Sequence, residues 1–320
     1  MNSYIVKRIV LFIPTLILAS LLIFVIMRSL PGDVVTVILS GSGEGVVSLE
    51  AKEALREELG LNKPLIKQYL TWAQSFLTGG FGGRSLENRE PISSIIYRQA
   101  PVTLLLTFYS LVISICISTP LGVYSALRKG SITDIFTRLT SLIGLAFPNM
   151  WMALIIILLL LLLFGWSPPV IYSSPGSDIW LHVQIVILPA LIIGWEQSSH
   201  MIRVVRSNML DILGKEYIVT ARSKGLPEIS VIIRHAVPNV IIPTLTMTGL
   251  QAGSLITGVV VLETIFGLPG LGRGLIQAAL VRDYPVIQTI VTVIIMISLF
   301  INLLVDILYK KADPRLYNLD

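Results

Sequence analysis

Long apolar stretches, each able to cross a lipid bilayer as a helix, constrain this sequence more than any other feature. A transmembrane helix needs about 20 mostly apolar residues, and one stretch here includes six successive leucines, Leu158–Leu163. Lipid offers no hydrogen bonds to the backbone, and no stretch alternates with period two as barrel strands do. The sequence therefore predicts an all-α polytopic membrane protein with six transmembrane helices. The predicted spans are Ile9–Leu30, Ala100–Leu127, Ile135–Phe164, Val183–Val205, Val240–Phe266 and Val286–Tyr309.

Composition agrees with a membrane protein. Hydrophobic residues make up 54% of the chain and charged residues only 13%, whereas a soluble domain carries about 25% charged residues. The first apolar run is longer than the core of a signal peptide and lacks a small-residue cleavage pattern, so we interpret it as a retained span. Cys116 is the only cysteine, which excludes an internal disulfide.

The distribution of lysine and arginine predicts the orientation, because these residues favour cytoplasmic loops. The short loop between spans three and four has no basic residue. The positions predicted to be cytoplasmic are Lys7, Arg8, Arg128, Lys129, Arg138, Arg206, Lys215, Arg222, Lys224, Arg234, Lys310, Lys311 and Arg315. Both termini of this multi-pass chain are therefore predicted to lie in the cytoplasm, with the spans in the plasma or inner membrane.

The residues between spans one and two are predicted to form an extracytoplasmic segment with short helices, 31–98. One helix covers Glu50–Leu59 and ends at Gly60, and a second begins at Pro64. The second helix is amphipathic, which suits a position on the membrane surface. We interpret the segment as a brace or lid over the bundle or a contact for an external partner. The other predicted regions are 1–30 (first span), 99–311 (five-helix core) and 312–320 (cytoplasmic tail). The predicted apolar face of the second helix, which begins at Pro64, consists of Ile66, Tyr69, Leu70, Ala73, Phe76 and Leu77.

The most informative cytoplasmic stretch runs from about residue 214 to 238. Lys215–Lys224 is predicted to be helical, and Gly225 suits a left-handed helix end. Pro227 suits the first turn of a following helix, and Pro238 is predicted to separate that helix from span five. A helix–Gly–helix unit between two spans predicts a rigid knob that fits a cleft on another protein.

This stretch resembles the cytoplasmic coupling motif of ABC importer permeases. That motif is Glu-Ala-Ala, three residues, Gly, nine residues and Ile-x-Leu-Pro, and Ala221, Gly225 and Pro238 keep its spacing. The chain departs from it at Val219, Thr220, His235 and Val237. The departures fit the dipeptide/oligopeptide class, whose pattern is matched by Tyr217, Ala221, Arg222, Gly225, Leu226, His235, Pro238 and Asn239.

The resemblance extends along most of the chain and favours the first, or B-type, membrane subunit, which carries the long outer segment. The order and spacing of the matching fragments are more specific than any one of them. They are Leu30-Pro31-Gly32-Asp33, Leu59-Gly60-Leu61, Pro101-Val102-Thr103, Pro120-Leu121-Gly122, Leu188-Pro189-Ala190, Glu263-Thr264, Leu268–Gly272, Arg282–Pro285 and Asp313-Pro314-Arg315.

The resemblance implies a type I ABC importer permease that translocates short peptides delivered by an external binding protein. A second homologous permease and two ATPase subunits, which bind ATP and Mg, are the other implied partners. Oligosaccharides or nickel remain alternative cargoes. Arg222 and Lys224 are expected to pair with acids on an ATPase. The implied coupling residues are Glu216, Tyr217, Ala221, Arg222, Lys224, Gly225, Leu226, His235 and Pro238.

Other functions receive little support from the sequence. There is no P-loop, so this chain is expected to bind no nucleotide cofactor, and its dispersed histidines predict no metal site. No catalytic cluster indicates an enzyme, and no nucleic-acid partner is expected. Ionisable residues within spans are functional candidates, so Glu196 and Glu263 are possible translocation-path residues. An ion-coupled carrier is a distant alternative. Gly249 and Gly253 predict close helix packing.

Overall fold

The computed structural model describes residues 2–29, 35, 49–58 and 60–312. The α-helices with described bounds are α1 Asn2–Ser29, α2 Leu49–Glu58, α3 Leu65–Ser75, α4 Ile92–Leu127, α5 Ile132–Ala146, α6 Asn149–Phe164, α7 Ile179–Leu213, α8 Glu216–Ser223, α9 Glu228–Val231, α10 Val237–Ile265, α11 Leu271–Leu280 and α12 Tyr284–Ala312. Two π-helical turns, Phe76–Gly80 and Ile232–Ala236, follow α3 and α9. The described residues contain no β-strand, so the all-α prediction is confirmed. The Leu30–Asp33 fragment, Leu59 and the predicted tail after Ala312 lie outside the described residues.

Each predicted span coincides with helical structure. Within the described residues, four helical stretches are long and apolar enough to cross a membrane, and a bent helix pair makes five. The four are Val10–Ser29, Ile92–Leu127, Ile179–Leu213 and Tyr284–Val305. The predicted fifth span lies in α10, which is 29 residues long. The polytopic helical fold is therefore confirmed, while the count of six spans stays a prediction.

The third predicted span differs from the prediction of one continuous helix. It consists of α5 and α6, which meet at a bend of 103°. Phe147 is extended, with φ −99° and ψ 123°, and Pro148 precedes α6. Proline has no amide hydrogen and disfavours helical geometry at the residue before it. Hydropathy therefore identified the apolar span correctly, but it did not reveal that Pro148 divides the span into two helices.

One compact unit of the chain is built mainly from Thr103–Leu268, together with the end of α12. Within it, α7 packs against α5 and α10. A Cβ atom added at Gly249 would lie 2.0 Å from Val305 Cγ1, and one at Gly253 would lie 3.1 Å from Ser298 Oγ. The close packing predicted for the two glycines is confirmed, and α12 is the helix that they contact.

The second compact unit contains the described parts of Val6–Val102 and Pro269–Ile297. Its buried core combines the start of α4 with α11 and the start of α12, through residues such as Ile92, Leu271 and Ile290. Asp283 is buried just before α12 and accepts hydrogen bonds from Ser85 Oγ at 2.5 Å and from the Leu86 amide at 3.0 Å. This carboxylate ties the loop before α4 to the start of α12.

Helix α3 packs on α1 through aromatic side chains. Ring centroids of Phe24 and Tyr69 lie 5.5 Å apart, and those of Tyr69 and Trp72 lie 5.9 Å apart. The predicted apolar face is divided, because Ile66 and Leu77 are 76% and 85% exposed. Helix α3 therefore braces its own unit with one set of apolar residues and leaves another set at the surface.

Candidate functional site

The segment between α7 and α10 contains two short helices joined by a glycine turn, as the sequence predicts. We call residues 215–236 the knob. Gly225 is left-handed, with φ +77°, and its amide donates to the Arg222 carbonyl oxygen at 2.9 Å. Glycine adopts this conformation with little penalty, whereas other residues rarely do. Pro227 is extended and forms the N-cap of α9, so one helix ends and the next begins within a few residues.

The base of the knob is a small apolar core. Ile218 and Val231 are completely buried, and Ala221 is only 7% exposed. These residues cluster with Val205 and Met209 of α7. Ala221, a predicted coupling residue, therefore contacts this core and not the surface. The packing fixes both short helices to the end of α7.

The outer part of the knob exposes large apolar side chains. Tyr217 is 45% exposed and Leu226 is 39% exposed, while Ile229 and Ile233 reach 72% and 62%. Glu216 is also exposed, at the start of α8, where a negative charge interacts favourably with the helix dipole. Exposed apolar residues grouped on a short segment are typical of an interaction surface.

Arg222 and Glu228 link the two helices of the knob. The Arg222 guanidinium donates to the Glu228 carboxylate from Nε at 3.1 Å and from Nη2 at 2.6 Å. This contact raises the pKa of Arg222 and lowers the pKa of Glu228. Arg222 is paired within the chain in this structure, and its contact with an ATPase stays a prediction. Lys224 is exposed beside the turn.

The junction between the knob and α10 differs from the prediction. Pro238 was expected to separate two helices, yet helical geometry continues from Glu228 to Ile265. The π-helical turn Ile232–Ala236 precedes Pro238, which occupies the first turn of α10. Proline is tolerated in a first turn, since its missing amide hydrogen has no partner there. His235 is half-buried within the π turn, and its carbonyl oxygen accepts from Asn239 Nδ2 at 2.7 Å.

Glu196 and Glu263, the two predicted translocation-path residues, each form a polar contact with a different neighbouring helix. Glu196 of α7 is partly buried and accepts a hydrogen bond from the Asn149 side-chain amide at the start of α6. Glu263 is completely buried near the end of α10 and accepts from Thr103 Oγ1 at 2.6 Å. Both carboxylates thus connect neighbouring helices in this conformation. Their role in a translocation path stays a prediction.

A buried ion pair that the sequence did not indicate lies below the knob, between α5 and α7. Asp134 is 1% exposed and accepts from Arg206 Nε at 2.7 Å and from Nη2 at 2.9 Å. Ser125 Oγ and the Gly130 amide also donate to this carboxylate, at 2.6 and 2.9 Å. The only local signal was Ser131 three residues before Asp134, a pattern typical of helix starts. The partner, Arg206, is too distant in sequence for such a pattern to reveal.

The histidines do not form a metal site in the part of the chain that the structure describes. His182 is buried, with Nδ1 2.8 Å from the Ser173 carbonyl oxygen and Nε2 3.3 Å from the Tyr109 hydroxyl. No group of three or more His, Cys, Asp or Glu side chains is placed to hold a metal ion among these residues. His182 instead joins α4, α7 and the loop before α7.

Two family patterns match the chain in succession. The N-terminal component of binding-protein-dependent transport systems matches residues 1–107, and the inner membrane component of these systems matches residues 118–318. The second match alone covers more than half of the chain. This chain belongs to the family of binding-protein-dependent transport permeases.

Curated relatives match the permease along its whole length. It is 38% identical over 318 residues to the oligopeptide transport system permease protein AppB of Bacillus subtilis, with 99% of each chain covered. It is 34% identical over 316 residues to the glutathione transport system permease protein GsiC of Escherichia coli K12, again with 99% of each chain covered. The permease is therefore a multi-pass inner-membrane subunit of an ABC importer, a transport component.

A solved structure supports the fold. The permease resembles a chain of the MetNI methionine ABC transporter, determined in inward-facing conformations, with a TM-score of 0.56 and 17% sequence identity. The match covers 70% of the permease and 99% of the other chain. At this identity the likeness shows a common fold and nothing about cargo.

Proposed function

We propose that the permease moves short peptides inward as part of an importer. Separate subunits of this importer bind ATP with Mg and hydrolyse the ATP. The knob carries this proposal, because it places exposed Tyr217, Ile229 and Ile233 on a buried base. A docking element must both attract a partner and resist deformation. The exposed apolar residues supply the attraction, and the packing of Ile218 and Val231 on α7 supplies the rigidity.

Movement of the knob is transmitted to two membrane helices. Its first helix packs on the end of α7, and its second continues through the π turn into α10. Displacement by a closing ATPase therefore shifts both helices together. Shape complementarity dominates the docking, because exposed ion pairs contribute only about 0–1 kcal/mol and Arg222 already pairs with Glu228.

The orientation follows from the same assignment. The knob faces the cytoplasm, where ATP is available, and both termini lie on that side. Segment 31–98 then faces the binding protein outside. A second, homologous permease completes the pathway. The lysine and arginine distribution supports this orientation.

Peptides are the proposed cargo because relatives covering the full chain carry oligopeptide and glutathione names. Glutathione is itself a small peptide, so both names indicate one chemical class. Cells that depend on this permease are expected to accumulate labelled di- to pentapeptides. They are expected to accumulate neither a labelled oligosaccharide nor nickel above the level of cells lacking the permease. Uptake of the oligosaccharide or of nickel, with no peptide uptake, would reject the cargo assignment.

Docking is tested with matched substitutions at two exposed isoleucines. Ile229→Asn changes the knob, while Ile132→Asn changes the start of α5, where the side chain is 85% exposed. We expect Ile229→Asn to reduce peptide uptake at least tenfold and to remove the ATPase from the purified complex. Ile132→Asn should retain both. Normal uptake by Ile229→Asn, or failure of any ATPase to accompany the unchanged permease, would contradict the proposal.

A further inference from the structure

A groove lined by apolar and basic side chains runs between α5 and α7. Its volume is about 430 Å³. Leucine and isoleucine side chains of α5 and arginines from both helices line it. The lining residues are Ile135, Arg138, Leu139, Ser141, Leu142, Arg203 and Arg206. The groove is separate from the knob surface and from Glu196 and Glu263.

The charges around this groove do not cancel. Arg206 is neutralised by Asp134, with which it forms two hydrogen bonds. Arg138 approaches the same carboxylate only at 3.8 Å, and its side chain is 52% exposed. Arg203 is exposed and makes no side-chain hydrogen bond or ion pair within the described residues. Two positive charges thus remain for one carboxylate that is already fully engaged.

The apolar part of the groove is open. Ile135, Leu139 and Leu142 are 44%, 53% and 52% exposed. Leu139 and Leu142 follow Arg138 along α5, which leads from the charged end towards the bend at Pro148. An occupant must therefore present an anion at one end and an apolar chain along the helix.

We propose that this groove binds the headgroup of an anionic phospholipid from the cytoplasmic leaflet. The guanidinium groups of Arg138 and Arg203 would hold the phosphate, since arginine matches phosphate geometry with paired donors. An acyl chain would lie on Leu139 and Leu142, which follow Arg138 along α5. Basic pockets between membrane helices on this side recognise anionic headgroups. The proposal takes the cytoplasmic placement of this end of α7 from the orientation proposed above.

The chemistry separates a lipid from other anions. Inorganic phosphate would meet the arginines but leave the apolar residues unoccupied. A zwitterionic lipid carries its own cation and would gain less from two arginines. A phosphatidylglycerol molecule satisfies both parts of the groove. An anionic lipid is therefore the occupant that fits this groove.

Binding is tested with the full-length permease in phosphatidylcholine nanodiscs with and without phosphatidylglycerol. The readouts are native mass spectrometry and crosslinking to a photoactivatable phosphatidylglycerol. We expect Arg138→Gln/Arg203→Gln to weaken phosphatidylglycerol binding about 25-fold, or about fivefold for each arginine. The control, Arg128→Gln/Lys129→Gln, removes two exposed cations from the α4–α5 turn and should retain wild-type crosslinking. Arg203→Gln alone, with an expected fivefold loss, serves if the double variant does not insert.

Three results would overturn the lipid assignment. Equal losses in the two double variants would show general attraction to the membrane surface. Equal binding of phosphatidylcholine would remove the need for the arginines, and full competition by inorganic phosphate would indicate a simple anion site. Peptide uptake by the knob variants does not enter these readouts, so failure here is separate from failure of the transport proposal.

Discussion

Two arginine–carboxylate pairs in one structural unit have the same chemistry and very different surroundings. Arg206 and Asp134 have side-chain exposures of 19% and 1%, whereas Arg222 and Glu228 have 41% and 52%. Each arginine uses Nε and Nη2. Removing one member of a buried pair leaves an uncompensated charge and costs about 3–5 kcal/mol, while an exposed pair contributes about 0–1 kcal/mol. Burial, and not bond geometry, therefore decides which pair holds the fold.

The largest expected effect comes from breaking the buried pair. Asp134→Ala leaves the Arg206 guanidinium without its carboxylate and removes the acceptor of Ser125 and Gly130. We expect a loss of about 3–5 kcal/mol in the free energy of unfolding. Thermal unfolding of the purified permease in detergent, followed by size-exclusion chromatography, measures it.

Two controls sharpen this result. Asp211→Ala removes an exposed carboxylate of the same helix as Arg206 and should change stability by less than about 0.5 kcal/mol. Asp134→Leu/Arg206→Met should recover much of the loss, because an apolar pair leaves no buried charge. If Asp211→Ala were as harmful as Asp134→Ala, burial would not explain the difference between the pairs.

A smaller effect is expected at the turn that brings the exposed pair together. Gly225→Val places a branched residue at φ +77°, where nothing lies within 4 Å of the added Cβ. The penalty is therefore conformational, about 1–2 kcal/mol. Gly225→Asn should lose less, since asparagine tolerates left-handed geometry. Thermal unfolding gives the stability, and peptide uptake reports whether the knob still docks. Equal behaviour of the valine and asparagine variants would exclude backbone geometry as the cause.

Breaking the exposed pair directly should lower the free energy of unfolding by less than Gly225→Val does. Glu228→Gln preserves size but removes the charge, so we expect a loss below about 1 kcal/mol and nearly normal insertion. The same unfolding assay compares it with Asp134→Asn, the corresponding change at the buried pair. A loss at Glu228 as large as the loss at Asp134 would refute the ranking by burial.

The smallest effect is the pH dependence of the exposed pair. Arg222 lowers the pKa of Glu228 below its ordinary value of 4.5, so the folded state binds the proton less readily than the unfolded state. The stabilisation is complete above the ordinary pKa and is lost as pH falls through the lowered one. The stability difference between wild type and Glu228→Gln should therefore shrink as the pH is lowered through this window. A difference that grows on acidification would contradict the assigned pairing.

The sequence predicted features that local pattern determines. Hydropathy located the helices, because each span needs its own run of apolar residues, and Gly225 with Pro227 located the turn of the knob. Features that depend on distant residues were missed. Nothing near Asp134 points to Arg206, which is 72 positions away. The pairing of Arg222 with Glu228, six positions further along the chain, was also not predicted, and the contact of Arg222 with an ATPase stays a prediction.

Pro148 and Pro238 have opposite effects, and neither effect was predicted. Pro148 lay inside a span predicted as one stretch, and Pro238 was expected to separate two helices. Pro148 breaks a run whose hydropathy is continuous, because Phe147 before it becomes extended. Pro238 interrupts nothing, because a π turn delivers the chain to a first helical turn where no amide hydrogen is needed. Composition alone does not distinguish these cases, since the outcome depends on the hydrogen bonds of the preceding turn.

The continuous helix beyond the π turn has a geometric consequence. Helix α10 contains 29 residues, so it is about 43 Å long. Tilting a rod of that length by about 5° about one end moves the other by about 4 Å. A rotation too small to disturb the packing at the pivot thus becomes a displacement the size of a side chain at the far end. In α10 that end carries Glu263. The length of the helix therefore amplifies a small tilt into a larger displacement of Glu263.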